Sequence, residues 1–82
     1  MRESEVIRHA KQERALVGRN VSALREEQRL TKVRLSMMAG MSRQELTKIE
    51  AGKANATLNT LVRLADALDM APADLFAKQQ DE

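Results

Sequence analysis

Within twenty residues, Thr31 to Glu50 (TKVRLSMMAGMSRQELTKIE), a helix stop and a helix start stand almost side by side, and this juxtaposition constrains the fold most. Thr31 is placed to N-cap a helix over Lys32 to Ala39, its hydroxyl accepting an otherwise unpaired backbone N–H. Gly40 ends it, because glycine adopts the positive φ that follows a helix. Ser42 caps a second helix, from Arg43 to about Ala51, with Glu45 three residues on to complete a capping box. Gly52 stops that helix, and Lys48 lies in its last turn. Leu35, Met38 and Ala39 on the first helix are expected to face Leu46 and Ile49 on the second. A turn this short cannot lay two helices antiparallel, so they cross steeply. The second helix then keeps a free outer face carrying Arg43, Gln44, Thr47 and Lys48.

The remaining sequence is helical in composition and period. Ala, Leu, Arg, Glu, Lys, Met and Gln dominate, with three Gly and one Pro in 82 residues. Val17, Val21 and Leu24 predict a helix over about Leu16 to Gln28. Whether it reaches back through Val6, Ile7 and Ala10 is open, and Gly18 weakens a long continuous helix without forbidding it. Thr57 caps a further helix to Leu68, with an apolar face of Leu58, Leu61, Leu64, Ala65 and Leu68. Pro72 begins a short last helix to Ala77 that presents Leu75 and Phe76. The expected fold is all-α, with five helices in one domain over residues 16–77, an N-terminal extension over 1–15 and a frayed tail over 78–82. Met38 and Met41 read as core filling rather than as a soft binding groove.

Composition removes several function classes. No run approaches the ~20 apolar residues of a membrane span, and the charged first fifteen residues lack the apolar centre of a signal peptide. The expected location is the cytoplasm. With no Cys there is no disulfide or zinc-finger framework. A single Phe and no Trp or Tyr argue against the aromatic platforms that stack single-stranded bases. Charge is divided along the chain: residues 1–53 hold 12 Lys/Arg and 7 Asp/Glu, residues 54–82 hold 2 and 5. A basic front of this kind suits a polyanion. In the major groove Arg reads guanine O6/N7 and Gln reads adenine N6/N7, each worth ~1–3 kcal/mol of discrimination.

From Val17 to Phe76 the sequence resembles the Cro/phage-repressor-like (Xre-like) helix-turn-helix domain of bacteria, phages and plasmids. The matching pieces are Val17-Gly18…Val21…Leu24-Arg25, Leu30-Thr31…Leu35, Ala39-Gly40-Met41-Ser42-Arg43, Leu46…Ile49-Glu50-Ala51-Gly52-Lys53 and Leu58…Leu61…Leu64-Ala65…Ala67-Leu68. Their order and spacing carry the resemblance. It implies a lambda-repressor-like domain that binds double-stranded DNA, usually as a homodimer, with the third helix in the major groove. By position, Ser42, Arg43, Gln44, Thr47 and Lys48 would meet base edges or flanking phosphates. Thr31 and Lys32 would face a phosphate at the start of the second helix, and Lys53 and Asn55 would hold the backbone on the other side. The resemblance also implies a structural Arg25–Glu50 pair. Three positions depart from the family pattern: Ser36 for a small Ala, Ala56 for a frequent Pro, and Asp69 for a frequent Gly.

The leading expectation is a transcriptional regulator, with repression the expected direction, acting on the nucleoid through two recognition helices about 34 Å apart. The alternatives are an antitoxin-type regulator that also binds a protein partner such as a toxin, and a helical interaction module without DNA binding. The bland reading makes Arg43, Gln44, Thr47 and Lys48 solvated surface, Thr31 only a cap, and Glu45 a capping partner rather than a reader of cytosine N4. No enzyme, cofactor, metal site or small-molecule substrate is expected. His9 stands without ligand neighbours, Glu26-Glu27 and Asp66/Asp69 read as solvated helix pairs, and Gly52-Lys53 lacks the first glycine (Thr47) and the hydroxyl (Ala54) of a phosphate loop. The dimer surface is open between Met70, Leu75 and Phe76, which equally suit the core, and the extension, which suits a dimer arm, a DNA-tracking arm or the start of a long helix.

Overall fold

The cap residues start the helices where the sequence places them. In the computed structural model, which describes residues 1–78, the elements are α1 (Glu3–Glu27), α2 (Lys32–Ala39), α3 (Arg43–Glu50), α4 (Leu58–Ala67) and a 3-10 turn (Pro72–Phe76). The side chains of Thr31, Ser42 and Thr57 each accept from the backbone N–H three residues on, at 3.0, 3.0 and 3.2 Å. All four helices stop in one way. Arg29, Gly40, Gly52 and Asp69 have positive φ, between 57° and 73°. The next N–H then bonds back across the turn: Leu30 to Arg25 O, Met41 to Ser36 O, Lys53 to Lys48 O and Met70 to Ala65 O. This is the Schellman closure, which satisfies carbonyls the helix leaves open.

One expectation about the elements is corrected. Among the described residues there are four α-helices, not five, because the segment from Pro72 to Phe76 closes with the tighter 3-10 bonding of short pieces. Ala71 N–H donates to the Asp74 carboxylate at 3.1 Å and starts it. The reach of the first helix, left open by the sequence, is long: α1 runs through residue 15 without a break for 25 residues, or ~37 Å at 1.5 Å per residue. That matches the molecule's longest dimension, 39 Å. The tail beyond Lys78 lies outside the described residues.

The core gathers Val17 and Val21 of α1, Leu35 and Ala39 of α2, Leu46 and Ile49 of α3, Leu64, Ala65 and Leu68 from α4 and its end, and Leu75. α1 packs on α3 and the 3-10 turn, α2 on α3 and α4, and α4 on the 3-10 turn. Met38 is not core; it is 46% exposed, and buried Ser36 takes the inward place beside Leu35 and Ala39. The Ser36 hydroxyl donates to Val33 O at 2.8 Å instead of standing unpaired. Met41 does pack against the core. Leu58 is exposed as the first residue of α4, and Phe76 points outward while Leu75 fills the core.

Gly18 sets the position of α1 on α3. A Cβ there would lie 2.5 Å from Ile49 O and 2.7 Å from Glu50 O. Only a residue without a side chain lets the α1 backbone cross the C-terminal end of α3 this closely. Asn20, buried on the same helix, donates to Leu75 O at 2.8 Å and Ala77 O at 2.7 Å, pinning the 3-10 turn against α1.

Candidate nucleic-acid interface

The polar face of α3 is built by the burial of the opposite face. Leu46 and Ile49 are within 3% of full burial, so the helix cannot rotate, and Arg43, Gln44, Thr47 and Lys48 are all exposed. The four line one open concavity on the surface. Ser42, also exposed, caps the helix by accepting from Glu45 N–H. Among the described residues the return bond from the Glu45 carboxylate does not form, so only half of the expected capping box exists.

Behind α3, Arg25 and Glu50 make a two-pronged pair. Arg25 Nε donates to Glu50 Oε2 at 2.8 Å and Nη2 to Oε1 at 3.0 Å, and Nη1 donates to Leu30 O at 2.9 Å. The side chains are 12% and 6% exposed, so most of the guanidinium and carboxylate is out of water. Hydrogen bonding to Glu50 raises the Arg25 pKa above its already high value, against the opposing effect of burial. The pair ties the end of α1, and through Leu30 O the approach to α2, to the end of α3. Arg25 and Glu50, which the resemblance pairs, are bonded to each other in this structure. Gly40, with φ 68°, makes the turn, and Arg63 of α4 donates to Gly40 O at 3.3 Å and to Thr60 Oγ1 at 3.3 Å.

The flanking residues fall on either side of α3 in the chain. Thr31 is an exposed cap, and Lys32 beside it is half-buried at the N-terminal end of α2. Lys53 and Asn55 are exposed in the loop after α3. The Asn55 carbonyl oxygen accepts from Arg14 Nη1 at 2.9 Å, which leaves its amide N–H groups as donors. The sequence reading missed Arg14, Asn20 and Arg63. No local pattern marks a side chain that reaches 41, 55 or 23 residues along the chain to its partner. For Gly18 a signal existed, since a glycine between Val17 and Val21 on a buried stripe points to close backbone approach.

Among the described residues no group of acidic, His or Cys side chains is placed to hold a metal, and no helix is long and apolar enough to cross a membrane.

Known proteins share this arrangement. An HTH-type transcriptional regulator of Sinorhizobium fredii is 40% identical over 62 residues, which is 76% of this chain and 80% of that protein. The immunity repressor of Bacillus phage phi105 is 42% identical over 52 residues, covering 63% of this chain and 36% of the repressor. The crystal structure of the restriction-modification controller protein C.AhdI from Aeromonas hydrophila superposes with a TM-score of 0.75 at 30% identity, over 77% of this chain and 96% of that one. These relatives are regulators, not enzymes, in what they are named for. The helix-turn-helix family model matches residues 21–75, from the buried Val21 of α1 to the buried Leu75, and the chain belongs to that helix-turn-helix family.

Proposed function

We propose that this protein is a sequence-specific regulator of transcription that binds double-stranded DNA, with α3 in the major groove, and acts as a repressor. The observation that carries this reading is the fixed, unobstructed polar face of α3. Four groove-reading side chains stand outward on a helix whose other face is locked by Leu46, Ile49 and the Arg25–Glu50 pair. Arg43 and Gln44, at the N-terminal end of α3, take the base edges, since a recognition helix contacts bases with its first residues. Thr47 and Lys48 lie one turn on, against base edge or phosphate. Thr31, Lys32 and Ser42 sit at helix N-termini, where backbone N–H groups and the positive helix end favour a phosphate. Lys53 and the Asn55 amide clamp the backbone beyond the other end of α3.

Repression is favoured by the phage relative, which is named as an immunity repressor. The protein acts as a homodimer on two half-sites about one helical turn apart, in the cytoplasm where the DNA lies. Selection from random duplexes supplies the operator and its symmetry. On that operator Arg43→Ala should lose ~1–3 kcal/mol of preference over a scrambled duplex while non-specific affinity falls far less. Equal losses on both duplexes would remove Arg43 from the base-reading set.

A further inference from the structure

The inward stripe of α1 does not end where the body ends. Glu3, Ile7, Ala10, Arg14, Val17, Val21 and Leu24 recur at alternating steps of four and three, the seam pattern of paired helices. In the second half of α1 this seam is covered: Val17 and Val21 are buried and Leu24 packs on the core. In the first half it is bare: Ile7 is 60% exposed and its neighbour Val6 50%. The last covered turn is marked by Arg14, bonded to Asn55.

We propose that this bare seam is the contact with a second copy of the chain, paired antiparallel about a two-fold axis between residues 8 and 9. The seam is complementary to itself in that register alone of the simple alignments. Glu3 falls opposite Arg14 of the second copy, and Ile7 falls opposite Ala10, a large side chain against a small one. Each contact is made twice, as a two-fold axis requires. Residues 2–14 carry four basic side chains (Arg2, Arg8, Lys11, Arg14) and three acidic ones (Glu3, Glu5, Glu13), so two arms meet without a large net charge. A parallel pairing would set Glu3 on Glu3 and Arg14 on Arg14, with like charges opposed.

The register also spaces the two reading heads. The end of α3 crosses α1 at Gly18, where Ile49 O and Glu50 O meet the α1 backbone. Gly18 is about 9.5 residues from the axis, or ~14 Å along α1. Two copies put these crossings ~28 Å apart, and the ~8–10 Å offset between packed helices brings the separation to roughly 30 Å. That is commensurate with the ~34 Å between half-sites on one face of a duplex. This spacing, and only this part of the inference, rests on the DNA-binding reading above.

Because the chain has no native cysteine, the register is testable by disulfide trapping. Ile7→Cys and Ala10→Cys chains, differing in mass by a tag, are mixed under mild oxidation without DNA. The expected product is the mixed dimer, at least fivefold over either homodimer. No linked product, or an Ile7→Cys homodimer as abundant as the mixed one, overturns the proposal. In sedimentation, Glu3→Lys should weaken self-association at least fivefold, and Glu3→Lys with Arg14→Glu should restore it. An unchanged Glu3→Lys chain also overturns it. Trapping is read without DNA, so if the Cys-substituted chains trap as expected while the wild-type protein binds no duplex, the regulator reading alone sinks. A protein that binds its operator but fails to trap sinks the arm pairing alone.

Discussion

Replacing Gly18 with alanine sets two physical effects against each other with opposite sign. Helix propensity favours the change: in the interior of a 25-residue helix, Ala is about 1 kcal/mol better than Gly. Packing opposes it. The new Cβ would sit 2.5 Å from Ile49 O and 2.7 Å from Glu50 O, where ordinary contact begins near 3.4 Å. Both obstacles are main-chain atoms, so no rotamer change relieves them and α1 must move off α3 by several tenths of an ångström. Overpacking of this kind costs typically ~1–3 kcal/mol, and the upper end applies because Arg25–Glu50 bonds of 2.8 and 3.0 Å join the same two helices. A steric cost of ~3 kcal/mol less the ~1 kcal/mol of propensity leaves a net loss of ~2 kcal/mol. For a domain this size that lowers Tm by roughly 8–16 °C. Thermal and urea unfolding of Gly18→Ala beside Gln12→Ala, an exposed site on the same helix, measure it. A Gly18→Ala protein more stable than wild type would show that the crossing is loose and refute the argument.

Glu50→Ala should cost ~3–5 kcal/mol, because it strands the largely buried Arg25 charge, and urea unfolding measures it. The raised Arg25 pKa stabilises the fold at every pH below its unfolded value, and that contribution is lost only in strongly alkaline solution, as pH rises through the folded one; Arg25 therefore adds no pH dependence to that loss between pH 6 and 9. Asn20→Leu should destabilise by ~1–3 kcal/mol, as Leu75 O and Ala77 O both lose their donor, with amide exchange rising first in the 3-10 turn. Lys53→Ala should weaken binding to operator and random duplex alike and reduce the slope of log K against log salt by about one; an unchanged slope in fluorescence anisotropy would take Lys53 off the phosphate list.

The parts legible in the sequence are those governed by neighbours in the chain. A cap or a stop acts within three or four residues, so Thr31, Gly40, Ser42, Gly52 and Thr57 mark their helix ends directly. Periodicity supplied most of the core for the same reason. It failed at Met38 and Leu58, where an apolar residue has the right period but stands at the end of a short helix that no neighbour covers. It also failed for Ser36, a polar side chain that is buried all the same. Arg29 carries no stop signal, yet it adopts φ 58° because Leu30 and Arg25 are held together by the backbone bond and by Arg25 Nη1. Long-range clamps such as Arg14–Asn55 and Arg63–Gly40 exist only once the tertiary fold brings their ends together.

The division of labour within α3 follows from these constraints. Every residue that orients the helix lies on its inner face, at its end, or on another element: Leu46, Ile49, Glu50, Arg25, Gly18 and Arg63. Arg43, Gln44, Thr47 and Lys48 are exposed and make no bond that holds the fold, whereas Ser42 and Thr31 also cap helices and Asn55 also accepts from Arg14. Exposed substitutions away from such bonds usually change stability by less than about 0.5 kcal/mol. The reading face can therefore be rewritten with the scaffold unchanged. The reverse does not hold, because the contacts that position α3 on α1, the two close glycine approaches at Gly18 and Gly52 and the Arg25–Glu50 pair among them, lie on the helix whose arm would fix the distance to a second α3. On the two proposals above, which sequence is read would belong to four side chains of α3, and how far apart two copies read would belong to α1.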